Sequence, residues 1–195
     1  MGGAVSAPTL MALLEGCTPA ETGSKPFVLS DSQRDIVAQI ADIIIPATDT
    51  PGAKEAGVGP FIETMIKDCY SDAQGAHFAK GLDEVSAKAK EMGGEFLSLS
   101  QEQQIEIVKA MEEAASTEKK EKEAKEVDAE TGKEKEGSAA DEPVTPFFNL
   151  MKELTLFGYF TSEIGATQEL DYVPIPGRFD GCIPLKEGQK AYALS

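Results

Sequence analysis

Histidine and cysteine are scarce in this chain of 195 residues: one histidine, His77, and three cysteines, Cys17, Cys69 and Cys182. Metal and haem sites usually draw on several such ligands. The cysteines also stand too far apart for a zinc knuckle, a CxxC redox pair or a CxxCH haem attachment. No metal, haem or other cofactor is therefore expected in this chain. Basic residues are few as well, 18 Lys and Arg against 34 Asp and Glu, for a formal net charge of −16. A field of that sign repels phosphate backbones and anionic lipid surfaces, which sets nucleic-acid binding aside. Otherwise it serves solubility. No apolar run approaches the ~18 residues that would span a bilayer. The dinucleotide-binding GxGxxG, the Walker loop and the GxSxG elbow are all missing, so the usual cradles for a nucleotide or an activated serine are not there.

What is present is a globular composition, 41% hydrophobic, in a length suited to one domain with a filled core. The expected division is 1–29 as a leader and tether and 30–195 as the folded body. Met1 to Leu14 are uncharged and mostly small or apolar, and Leu14-Glu-Gly-Cys17 resembles the end of a lipoprotein signal, with Cys17 as the lipidation candidate. No basic residue precedes the apolar stretch, and Glu15 stands where a small residue is usual. A longer signal, with an arginine-bearing start ahead of Met1, would account for the first of these; an ordinary unstructured N-terminus is the alternative.

Helical periodicity organises the body. Ser30, with Gln33 three residues on, makes a capping box ahead of Ile36, Val37, Ile40, Ile43 and Ile44, and Pro46 ends that run. Pro46–Pro60 is a loop rich in Pro, Gly, Thr and Asp. Pro60 suits the first turn of a second helix carrying Phe61, Ile62, Met65, Ile66 and Cys69. A third helix fits Ala73–Met92 and stops at Gly93-Gly94. Ser100 and Gln103 repeat the capping box for a fourth, with Ile105, Val108 and Met111 as its apolar stripe. Thr117–Glu142 turns to Lys and Glu and reads as a solvated insertion or frayed helix extension. Thr145 as cap and Pro146 as first residue then open a fifth helix, apolar almost all round, which requires enclosure on every side. In so small a domain some of that cover would come from another protein. Within the last residues, Gly165–Ser195, the stretch Tyr172–Pro184 holds too much Pro and Gly for a helix or central strand, and the segment reads as an extended tail laid over a surface. The fold class expected is all-α, a single domain of about five helices with a Pro/Gly-rich tail.

Candidate chemistry is thin. His77 lies on a helix, and the next carboxylate along the chain is Asp83, so a structural role is favoured over a catalytic one. Asp68, Glu153, Glu163 and Asp180 could pair in space as acid and base, but carboxylates are too plentiful for that to single them out. The loop with Gly52, Gly57 and Gly59 could approach a phosphate, yet it lacks a Lys-Ser/Thr ending; bending around a packed surface is the plainer reading. No catalytic residue is assigned.

Two stretches resemble a known family. Ile43-Ile-Ile-Pro-Ala-Thr-Asp-Thr-Pro-Gly-Ala53, with Ala56-Gly-Val58 and Phe61-Ile62, is similar to the N-terminal signature of the gluconate 2-dehydrogenase subunit 3 family. Leu154-Thr-Leu-Phe-Gly-Tyr-Phe-Thr-Ser-Glu-Ile-Gly-Ala166, then Tyr172 and Pro176-Gly-Arg-Phe-Asp-Gly-Cys182, is similar to its C-terminal signature. The charged stretch Thr117–Glu142 is outside that pattern. The resemblance implies a non-catalytic small subunit that binds, stabilises and helps export an FAD-dependent sugar or glycoside dehydrogenase of the glucose–methanol–choline type. FAD would reside in that large subunit, a cytochrome c subunit often completes such complexes, and the location would be periplasmic. Gluconate, glucose, fructose and glycosides oxidised at C3 are all substrates the resemblance allows for the complex. Membrane contact would come only through a lipid on Cys17. The apolar fifth helix and aromatic tail make Phe157, Tyr159, Phe160, Arg178 and Phe179 the expected contacts with the large subunit, the rival reading being that these side chains are simply core. Export to an oxidising compartment makes a Cys69–Cys182 disulfide the expected anchor of the tail, with two unpaired buried cysteines as the alternative. Two other readings stay open: a free lipoprotein chaperone that leaves its client after export, and an independent enzyme with a scattered acidic site.

Overall fold

Both predicted capping boxes close. Ser30 N–H donates to Gln33 Oε1 at 3.0 Å and Gln33 N–H to Ser30 Oγ at 3.3 Å. Ser100 and Gln103 repeat the exchange at 3.1 and 3.3 Å. These pairs satisfy amide donors that a helix start leaves without partners. They open α1 (Asp31–Ile44) and α4 (Gln101–Val127). Between them lie α2 (Val58–Cys69), α3 (Asp72–Glu91) and a 3₁₀ turn at Phe96–Ser98; α5 (Phe147–Thr161) follows. The computed structural model describes residues 27–127, 144–175, 177, 182 and 184–194. Among these residues the architecture is all-α apart from two three-residue strands.

Some boundaries differ from the sequence expectation. Helix α2 begins two residues ahead of Pro60, because Gly57 adopts the left-handed conformation (φ 74°) as its N-cap. Pro60 still fits, since the first four amides of a helix have no intrahelical acceptor to lose. Thr145 does not cap α5; the cap position is Pro146, with no side-chain bond. The entry is held from a distance instead. The buried amide of Gln74 on α3 donates to the Thr145 carbonyl at 2.9 Å and accepts from the Thr145 N–H at 2.7 Å. Helix α4 runs on through Val127, so the charged stretch begins as a solvated helix extension. Its apolar stripe is Ile107, Val108, Met111 and Ala115 with buried Gln104, while Ile105 is only half-buried. Gln104 earns its place by donating to the Phe96 carbonyl at 3.0 Å and accepting from Gln39 at 3.1 Å, which ties α4 to the 3₁₀ turn and to α1.

Helix α5 is central and packs against each of the other four helices. Phe147, Phe148, Leu150, Met151, Leu154 and Tyr159 turn into the core. The rings of Phe78 and Phe147 meet at 5.0 Å. Beyond α5 a π-helical turn, Gly165–Glu169, leads into β1 (Asp171–Val173), which pairs in parallel with β2 (Tyr192–Leu194). The tail was expected to lie over a surface. In its described residues it pairs with itself, leaving Tyr172, Ile175, Leu185 and Tyr192 exposed.

Candidate functional site

The two signature stretches, about a hundred residues apart, meet at the C-terminal half of α5. Tyr159 is 2% exposed, and its hydroxyl donates to the Pro51 carbonyl at 2.9 Å. Thr50 lies 3.5 Å from the same hydroxyl and donates to Glu169 Oε2 at 2.9 Å, so the loop is fastened both to α5 and to the π turn. At the loop tip Asp49 is held below the usual carboxylate range, mainly by the Thr48 hydroxyl, with its own backbone N–H and Lys190 adding to the effect. Close packing explains the loop glycine nearest to it. A Cβ on Gly52 would lie 2.7 Å from Asp42 Oδ1 and from the Ala47 amide nitrogen. Gly52 is thus packed against α1 and the start of its own loop, in keeping with a loop bent around a packed surface. Gly158 plays a similar part on α5, since a Cβ there would come within 2.6 Å of the Phe61 ring.

This junction turns one side of α5 outward. Leu156, Phe157 and Phe160 are 40%, 51% and 39% exposed. The half-buried Phe61 ring on α2 sits 5.7 Å from that of Phe157 and extends the apolar surface. Leu156, Phe157 and Phe160, with Phe61, thus form one apolar cluster on the surface of the described chain. Beside the surface, Tyr70 has its hydroxyl pKa raised by burial and, to a smaller degree, by Glu153 and Cys69.

The sequence-predicted site residues divide accordingly. Phe157 and Phe160 are on the outer face. Tyr159, expected at the same contact, is a core residue: the helix turn that points its neighbours outward points it at the loop, where its hydroxyl is consumed. Arg178, Phe179, Asp180 and Cys17 lie outside the described residues. The expected Cys69–Cys182 disulfide is not formed. Both are free, exposed thiols, Cys69 at the end of α2 and Cys182 in the tail. Leu156 and Phe61 were not singled out from sequence as contacts; their spacing is helical, and only the packing of neighbours shows which side they are on.

His77 is half-buried on the wall of a 210 Å³ cleft between α3, α4 and the start of α5, with Lys80, Glu84, Met111 and Phe148 among its neighbours. A more open 520 Å³ hollow lies in the tail between the π turn and β2. Asp68, Glu153 and Glu163 line neither cleft, and each is exposed. Among the described residues no three His, Cys, Asp or Glu side chains gather as a metal site would require. No helix among them is long and apolar enough to cross a membrane.

Comparison with known families matches residues 31–177 to the family described as gluconate 2-dehydrogenase subunit 3. No curated protein and no solved structure matches the chain.

Proposed function

Because the chain belongs to the gluconate 2-dehydrogenase subunit 3 family, we propose that it is an accessory subunit of an FAD-dependent sugar dehydrogenase, with the chemistry carried by its partner. The observation behind this reading is α5. A central helix, buried on its other sides, leaves Leu156, Phe157 and Phe160 facing solvent. Aromatic anchors of this kind, at the middle of an interface, supply much of the binding free energy in protein complexes. The contacts of Tyr159 with Pro51, and of Thr50 with Glu169, go into holding that face rigid. Rigidity lowers the entropic cost of association.

On this reading the hydride acceptor, FAD, is bound by a large subunit of the glucose–methanol–choline type. That subunit oxidises a sugar, sugar acid or glycoside, and a cytochrome c subunit takes the electrons onward. The small subunit stabilises the large one and accompanies it to the periplasm, with Cys17 as a lipid anchor. The test is co-expression with the flavoprotein. The two polypeptides should purify in fixed stoichiometry with flavin absorbance, and sugar-dependent dye reduction should belong to the complex and not to this chain alone. Turnover by the isolated chain, or failure of any flavoprotein to accompany it, would overturn the assignment.

A further inference from the structure

Resting on that subunit assignment, we infer that the outer face of α5 seats in an apolar groove of the partner subunit whose rim is basic. The floor of the contact is Leu156, Phe157 and Phe160, extended by Phe61. Leu156 and Phe160 are one helical turn apart, and Phe157 lies between them, so the three side chains share a single stripe. The charges beside that stripe that no ion pair engages are acidic. Glu153 stands one turn ahead of Phe157 on α5, and Glu163 follows two residues after α5 ends at Thr161; both are exposed. Neither carboxylate is in an ion pair among the described residues. The one cation of α5, Lys152, is drawn to Glu112 on α4 at 3.1 Å and lies 5.9 Å over the Phe148 ring. On α2, Lys67 stands beside Asp68 at 3.8 Å.

This arrangement selects among occupants. A second copy of the chain, itself at −16, would set Glu153 and Glu163 against carboxylates of the same kind. An anionic lipid surface meets the same repulsion. A polypeptide groove with Lys or Arg along its edges gains from both parts of the face. The two parts act on different rates: rim charges govern encounter, and the desolvated centre governs escape.

The experiment follows the kinetics of the full chain binding to the catalytic flavoprotein subunit, separated from the complex and immobilised. Phe157→Ala should speed dissociation about tenfold or more while leaving association within about twofold. Leu156→Ser, which gives up no ring contact and so keeps the test clear of misfolding, should speed dissociation about threefold. The double charge reversal Glu153→Lys with Glu163→Lys should slow association about tenfold at about 50 mM salt and converge on wild type near 1 M. Unchanged dissociation in both apolar variants would overturn the inference, as would association that is unchanged or faster after charge reversal. So would self-association of the chain that Phe157→Ala abolishes, or binding to anionic vesicles that it abolishes. A complex that forms and is indifferent to every variant removes this face alone. If no flavoprotein accompanies the chain, the subunit assignment falls and takes the face with it.

Discussion

Replacing Tyr159 with Phe separates two roles for one side chain. Sequence reading placed Tyr159 against the partner; the structure places it in the core with its hydroxyl on the Pro51 carbonyl at 2.9 Å. The substitution keeps the ring and deletes that one bond. An intramolecular hydrogen bond contributes about 0.5–1.5 kcal/mol net, and leaving a partly buried carbonyl without a donor raises the cost toward the upper end. The second fastening, Thr50 on Glu169, survives, so the loop stays docked and the expected loss is about 1–2 kcal/mol. For a protein of this size each kcal/mol lowers Tm by roughly 2–4 °C, which gives a fall of about 2–8 °C. In urea, followed by circular dichroism, the midpoint should fall with the slope unchanged, because the surface exposed on unfolding is the same. Affinity for the flavoprotein subunit should stay within about twofold. An unchanged midpoint would show that the bond to Pro51 contributes nothing. A tenfold loss of affinity with unchanged stability would show that Tyr159 is a partner contact after all.

Three further outcomes are expected. Gly81→Ala should destabilise although alanine favours helices by about 1 kcal/mol: its Cβ would fall 2.1 Å from Phe147 Cγ and 2.5 Å from Phe147 Cβ, atoms too near the backbone to swing aside, and overpacking costs about 1–3 kcal/mol or more. A raised Tm, or a loss that Phe147→Leu does nothing to recover, would refute this. Glu63 holds the Arg34 guanidinium through two bonds at 2.8 and 3.0 Å. Its carboxyl is pulled below 4.5 chiefly by that contact, with burial opposing and the Leu29 N–H assisting. A depressed carboxylate contributes stability above its unfolded pKa and loses it as pH falls through the folded value. Wild type should therefore lose stability more steeply than Glu63→Gln below about pH 4.5, and parallel curves would remove the pair as a source of acid sensitivity. Finally, iodoacetamide should alkylate both Cys69 and Cys182 in the native isolated subunit; protection of both, released by reductant, would restore the disulfide.

Local physics made much of the fold legible. A capping box engages residues three apart, and a helix stripe engages residues three and four apart, so Ser30, Gln33, Ser100 and Gln103 announced their helices without tertiary information. The family resemblance rested on long stretches, and the match over 31–177 agrees with it. The candidate site was legible only in part. Phe157 and Phe160 were identified as surplus apolar side chains, but the same criterion selected Tyr159, and it said nothing of Phe61 on another helix.

For the described residues, the sequence by itself determined that five helices form, where each of them starts to within two residues, and that the last of them is apolar beyond what its own length can cover. These follow from chain-local hydrogen bonding and from side-chain periodicity. Only the tertiary structure decided which side of α5 stays open, because that depends on where four neighbouring helices end. Distance along the chain hid the rest. Tyr159 meets Pro51 across 108 residues and Gln74 meets Thr145 across 71, and no periodicity reports on pairs so far apart. The tail shows the same limit from the other side. The prolines and glycines of Tyr172–Pro184 spoke against a helix there, yet the parallel pairing of Asp171 with Tyr192 joins backbone partners about twenty residues apart, which no local pattern reports.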